Sequence, residues 1–173
     1  TSPKDDSYTN DKKIKVSGTA SKNSDIYIFQ NKEIVNQTTT DEQGKFSSEV
    51  YLNKDGRYTI NATTTDNAKV SSNFSQDIGV TRDSQPPKIL FSQSFFLPSN
   101  IRGEKGFDIF LRVSGDTKEV TASWGNLNAI LKSSDDMYYL GTIRQKNSVF
   151  LPHSLLITAK DRAGNYESLR IIK

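Results

Sequence analysis

Alternation with a period of two residues restricts this chain more than any other feature. Ile14 and Val16 share a side, and so do Phe46, Val50 and Leu52, with Ser48 between them. Tyr58, Ile60 and Ala62 alternate with Thr59 and Asn61. Phe107, Ile109, Leu111 and Val113 alternate with Asp108, Phe110 and Arg112, and Leu155, Ile157 and Ala159 repeat the pattern. Successive side chains of a strand take opposite faces, so each run reads as a half-buried strand. No window sustains the i, i+3, i+4, i+7 spacing of an amphipathic helix. Each run ends in turn chemistry: Ser17-Gly18, Asp41-Glu42-Gln43-Gly44, Lys54-Asp55-Gly56, Ser114-Gly115-Asp116 and Arg162-Ala163-Gly164-Asn165. Gly and Asn supply the positive φ such turns need, and Asp folds onto its own backbone. Short strands at intervals of about 8–12 residues predict an all-β chain built as a sandwich or barrel.

The chain divides at Asp83–Pro87. Pro86 and Pro87 donate no ladder hydrogen bonds and stiffen a connection toward polyproline II. The expected organisation is a flexible leader over residues 1–10, a sandwich over 11–82, a Pro-Pro hinge over 83–87 and a second sandwich over 88–173. An internal echo supports the split. Tyr58-x-Ile60-x-Ala62 precedes Asp66-x-Ala68, and Leu155-x-Ile157-x-Ala159 precedes Asp161-x-Ala163. Apolar residues make up only 34% of the 173, below the roughly 45–50% of typical globular chains. Two small sandwiches account for that, because small domains have much surface per residue and each strand turns half its positions to water.

The motifs resemble those of bacterial immunoglobulin-like repeat domains of surface and secreted proteins. In the first half the carriers are Val16-x-Gly18-x-Ala20, Ile26-x-Ile28, Thr40-Asp41-x-x-Gly44-x-Phe46 and Gly56-x-Tyr58-x-Ile60-x-Ala62-x-Thr64. In the second they are Pro86-Pro87-x-Ile89 and Ala159-x-Asp161-x-Ala163-Gly164-Asn165. The stretch Ser92–Gly125 departs from the pattern: Phe95-Phe96-Leu97-Pro98 and the loop Asn100–Gly106 read as an elongated entry into the second strand of that domain. The resemblance implies two tandem Ig-like sandwiches in an extracellular stalk, spacer or adhesive module.

Residue counts exclude several chemistries. The chain has no Cys and a single His, which rules out zinc-finger and Fe–S sites, a disulfide framework and a cysteine nucleophile. Its net charge of +3 is spread singly, with no basic run longer than Lys12-Lys13, so no nucleic-acid partner is expected. No apolar run exceeds four residues, against about 20 for a membrane span. The chain begins with Thr1 and reads as a segment of a longer parent.

Candidate sites follow from the same residues. His153 stands in a polar turn without a visible nucleophile or orienting acid. Asp135-Asp136 are adjacent on a hairpin tip, unlike the facing carboxylates of a glycosidase. Calcium is the alternative weighed for Asp41, Asp66, Asp83 and Asp161, with Asp83 at the hinge as the place for it, although no D-x-D-x-D-G spacing occurs; no other cofactor is expected. Trp124 with Tyr138 and Tyr139 forms the candidate ligand contact, Trp124 also reading as a core plug. The expectation is a non-enzymatic stalk or spacer whose partners are neighbouring domains of its parent. The alternative is an adhesin-type module that uses the second domain to bind a host protein or glycan.

Overall fold

The structure, a computed structural model, describes residues 1–65, 70–133, 135, 137–146 and 153–172. It is nearly all β and divides into two compact units, Thr1–Ser84 and Gln85–Lys173.

The first unit contains β1 (Ser7–Thr9), β2 (Lys13–Thr19), β3 (Asp25–Gln30), β4 (Glu33–Thr39), β5 (Lys45–Tyr51), β6 (Gly56–Thr65) and β7 (Ile78–Arg82). One sheet runs in the order β1-β7-β6-β3-β4, and β2 pairs with β5 in a second. The inward phase of each strand supplies the core: Val16 from β2, Ile26 and Ile28 from β3, Val50 from β5, Ile60 from β6, Val80 from β7, and Leu52 just after β5. Each such side chain, fully buried, contributes about 1.5–3 kcal/mol of transfer free energy. The β3–β4 turn places Asn31 and Lys32 at φ 52° and 75°, the paired positive φ of a type I′ hairpin. Between β4 and β5 the Asp41 carboxylate accepts the N–H groups of Gln43 and Lys45 at 2.9 and 2.8 Å. Gly44 there has φ +72°, and a Cβ on it would lie 2.4 Å from the Ala20 carbonyl oxygen, so only glycine fits.

Two expectations for this unit are corrected. Residues 1–10 are folded. β1 pairs in parallel with β7, and Ser2 bridges Ser17. Asp5 accepts the Gly79 N–H, and Asp6 pairs with Arg57. These partners lie up to 74 residues away, beyond the reach of local periodicity. Ser17-Gly18 is strand, not turn. Gly18 pairs with Phe46 across β2 and β5, and a Cβ on it would stand 2.8 Å from the Phe46 ring. The glycine serves close packing there.

The second unit begins with a 3-10 turn, Phe91–Gln93. It continues through β8 (Phe95–Ile101), β9 (Glu104–Arg112), β10 (Thr117–Trp124), β11 (Leu127–Ile130), β12 (Lys132–Ser133), β13 (Tyr138–Lys146), β14 (Ser154–Asp161) and β15 (Tyr166–Ile172). Its sheets run β11-β10-β14-β15 and β12-β13-β9-β8. They share one core, with Phe107, Ile109 and Leu111 of β9 and Ile143 of β13 meeting Val120 and Ala122 of β10 and Leu155, Ile157 and Ala159 of β14. Trp124 sits edge-on to Phe107 at 5.4 Å, an arrangement aromatic quadrupoles favour.

The expected elongated entry at Phe95–Gly106 is instead a regular hairpin. β8 pairs with β9 across the two-residue turn Arg102-Gly103, at φ 53° and 80°. This is again a type I′ turn, masked in the sequence by an Arg where Asn or Asp is usual. The turn after β14 follows expectation. Asp161, 1% exposed, accepts the N–H groups of Gly164 and Asn165 and the Asn165 side-chain amide at 2.7–2.8 Å.

Candidate functional site

The outward phase of the sheet β12-β13-β9-β8 departs from the polar pattern expected of a water-facing surface. In β9 the residues between the buried Phe107, Ile109 and Leu111 are Asp108, Phe110 and Arg112; in β13 those flanking the buried Tyr139 are Tyr138 and Leu140. Register lines these outward residues up across the strands. Lys132 of β12 faces Leu140, Leu140 faces Phe110, and Phe110 faces Phe95. The next row joins Thr142, Asp108 and Leu97. Phe95, Leu97 and Leu140 are 60%, 62% and 55% exposed, so these side chains are left to solvent.

The rings are in contact. Phe95 and Phe110 lie 6.0 Å apart and Phe110 and Tyr138 5.5 Å apart, the second pair close to parallel. Arg112 caps the row with its guanidinium 5.4 Å from the Tyr138 ring centre, a cation–π contact, while it also donates to the Gln93 side-chain oxygen. Between the rows lies a trough of about 440 Å³ lined by Phe95, Leu97, Phe110, Leu140 and Gly141.

Charge is arranged around the trough. Asp108 is ion-paired to Arg144, which neutralises the acid on this face. Lys132 at one end of the cross-strand row is exposed and makes no ion pair among the described residues. Lys132 and Arg112 are therefore cations on this face with no ion-pair partner among the described residues.

Of the three candidate contact residues only Tyr138 reaches this surface. Trp124 and Tyr139 are 3% and 4% exposed, which corrects their assignment as ligand contacts. Trp124 fills the core against Phe107, and the Tyr139 hydroxyl donates to the Thr117 carbonyl at 2.9 Å. Sequence reasoning counted Phe95 among the aromatics of the second domain that favour binding, but missed Leu97, Phe110 and Leu140. The signal for Phe110 was present: an aromatic residue in the polar phase of an otherwise regular strand.

The remaining candidates are placed as follows. His153 is exposed in the turn before β14. The Asp135 carboxylate accepts the N–H groups of Tyr138 and Met137, which hold its pKa below the usual carboxylate value and make it a turn residue. Asp136 and Asp66 lie outside the described residues. Asp41 and Asp161 both accept backbone N–H groups of their own turns. Asp83 follows β7 in the first unit, half-buried, with its N–H donated to the Thr9 carbonyl at 2.9 Å. Within the second unit the carboxylate oxygens of Asp116 and Asp161 lie within 4.8 Å of each other; calcium takes six to eight oxygens.

The first unit carries a separate groove of about 400 Å³. Val16, Ile26, Phe46, Ile60, Ser17, Ser72 and Asn73 are among its lining, which holds no Asp, Glu, Lys or Arg side chain among the described residues.

No family model matches the sequence. The chain is similar to Bacillopeptidase F of Bacillus subtilis (strain 168), at 34% identity over 90 residues. That match covers 51% of this chain and 6% of the Bacillus protein, so the chain spans only a small fraction of that relative's length.

Proposed function

We propose that this chain is a non-enzymatic pair of Ig-like sandwich domains that spaces and presents neighbouring domains of a secreted or surface-attached parent. Pro86 and Pro87 are the stiff connection between the two domains. The observation that carries this reading is that each unit closes a core of its own: one is drawn from residues between Val16 and Val80, the other from residues between Phe107 and Ala159. A unit that buries its own apolar surface needs no partner in order to fold and can be set in series. The similarity to Bacillopeptidase F supports it, because a match confined to 6% of that protein fits an accessory segment. On this reading the activity of the parent resides elsewhere.

Single-molecule stretching of the full chain between terminal handles tests the reading. Two separate unfolding events are expected, each releasing roughly 250–300 Å of chain at about 3.3–3.6 Å per residue. One event releasing the whole length would refute it.

A second reading, binding of a ligand by the second domain, is favoured by the exposed row Phe95–Phe110–Tyr138. The calcium reading attached to Asp83 is tested by thermal melts with and without EDTA. A lowered midpoint in EDTA supports it, and an unchanged one removes it.

A further inference from the structure

We propose that the outer face of β12-β13-β9-β8 docks a polypeptide segment that combines apolar side chains with carboxylates; this rests on the reading that the second domain binds a ligand.

The apolar half of the partner follows from the trough. Its volume of about 440 Å³ accommodates a few side chains, and its apolar lining includes Phe95, Phe110, Leu97 and Leu140. Burying such surface is favourable at roughly 25 cal/mol per Å², and exposed apolar patches on a soluble domain mark interaction sites.

The acidic half follows from the rim. Lys132 ends the row Leu140–Phe110–Phe95, and Arg112 lies over Tyr138. Asp108, which would repel a carboxylate, is already held by Arg144. A partner that brings carboxylates to Lys132 and Arg112 complements this field, and complementarity of this kind decides between partners more than it adds affinity.

Other occupants fit less well. A glycan buries hydroxyls wherever it stacks, and each one left without a partner costs about 1–3 kcal/mol. The trough lining offers such hydroxyls only Thr142, the ion-paired Asp108 and Lys132 at one end. A second copy meeting this face about a two-fold axis would set the same patch against itself, gathering two copies each of Lys132 and Arg112 into one interface. Strand addition to the open edge of β8 is hindered by Pro98, which lacks the N–H that an added strand would use.

The test uses the whole chain and three synthetic peptides of equal length. Each carries the same leucines and phenylalanines, interspersed with glutamate, lysine or serine, and binding is read by fluorescence anisotropy. The glutamate peptide should bind at least about tenfold more tightly than the lysine peptide, a difference two exposed ion pairs can produce. Lys132→Glu should remove that preference, and Leu140→Asp should abolish binding. Both positions are exposed, so the melting midpoint should be unchanged and loss of binding cannot be ascribed to unfolding.

Equal binding of all three peptides, or no binding of the glutamate peptide, overturns the proposal. Binding of hydroxyethyl cellulose that is lost in Leu140→Asp overturns the partner's chemistry but leaves the second reading standing. Self-association in sedimentation that Leu140→Asp abolishes also overturns it, in favour of a second copy. None of these results touches the spacer reading, which the stretching experiment decides.

Discussion

Truncating Ile28 to alanine tests whether the two cores are energetically separate. Ile28 is fully buried in β3 of the first unit and belongs to the cluster that includes Val50, Leu52, Ile60 and Val80. The substitution removes three carbon groups, worth about 2.4 kcal/mol of transfer free energy at about 0.8 kcal/mol each. The residual cavity adds to that, for a total near 3–4 kcal/mol, within the roughly 2–5 kcal/mol range of such truncations. In a domain of this size about 1 kcal/mol shifts the midpoint by roughly 4–8 °C, so the first unit should melt about 15–25 °C lower. The only tryptophan, Trp124, lies in the other core and reports on the second unit alone. Far-UV circular dichroism of Ile28→Ala should therefore develop an early transition, while the Trp124 fluorescence transition stays in place. Leu155→Ala, also fully buried, should do the opposite and lower the fluorescence midpoint. A fluorescence midpoint that falls in step with the early transition in Ile28→Ala would mean one cooperative block, and the module reading would fail.

Tyr139→Phe removes a buried hydroxyl bonded to the Thr117 carbonyl and should cost about 1 kcal/mol, read by chemical denaturation followed at Trp124; an unchanged midpoint contradicts the assignment. Asp55→Ala strips the carboxylate that accepts from Arg82 at 2.8 Å and from Ser84 at 2.8 Å. The Arg82 side chain is only 8% exposed, so an uncompensated cation remains and the first unit should lose about 2–3 kcal/mol, whereas a loss within error would show that solvent replaces the pair. Asp5 accepts the N–H groups of Gly79 and Asp6, which hold its pKa below the usual carboxylate value. A depressed folded pKa contributes stability that is full above the unfolded value and lost as pH falls through the folded one. Asp5→Asn should accordingly flatten the acid limb of the stability profile of the first unit, and an unaltered limb counts against it.

Strand content was legible because period-two alternation is a local property. Leu155, Ile157 and Ala159 were assigned inward, and all three are fully buried. The turns at Gly44, Gly115 and Gly164 were legible for the same reason, since each requires the positive φ that its glycine adopts. β1 was not legible. Ser7–Thr9 shows no alternation of its own and is a strand only because β7, more than 70 residues away, offers an edge. Gly18 misled because glycine marks both a turn and a close approach, and only the Phe46 ring across the pair decides between them. At the candidate site, Tyr138 and Tyr139 posed a choice that alternation narrows to one outward residue but does not resolve. Register against Arg112 and Leu111 resolves it. Phe95-Phe96-Leu97-Pro98 reads in the sequence as an elongated entry, yet on an edge strand such as β8 proline is tolerated.

The outer face of β12-β13-β9-β8 brings the exposed Phe95, Leu97 and Leu140 together in adjacent cross-strand rows. In the first unit the outward rows of β2 and β5 pair Lys13 with the exposed Tyr51, Lys15 with Glu49, Ser17 with Ser47 and Thr19 with Lys45, a largely polar surface of the kind an antiparallel sheet turns to water. The other sheet of the second unit sets Thr121 against Thr158 and Thr158 against Ser168, with the exposed Ile130 facing Thr121 on β11, a mostly polar row with one apolar end. A sheet face that offered Phe95, Leu97 and Leu140 to solvent beside an open strand edge would invite edge-to-edge pairing. Pro98 on β8 removes one edge donor at that point, and Lys132 ends the cross-strand row at the other side of the sheet. The face is thus apolar where a partner could seat and protected where a neighbouring strand could add. General surface stickiness would need neither protection nor a row in register, which is why recognition, rather than incomplete burial, is the reading that the placement of these residues supports.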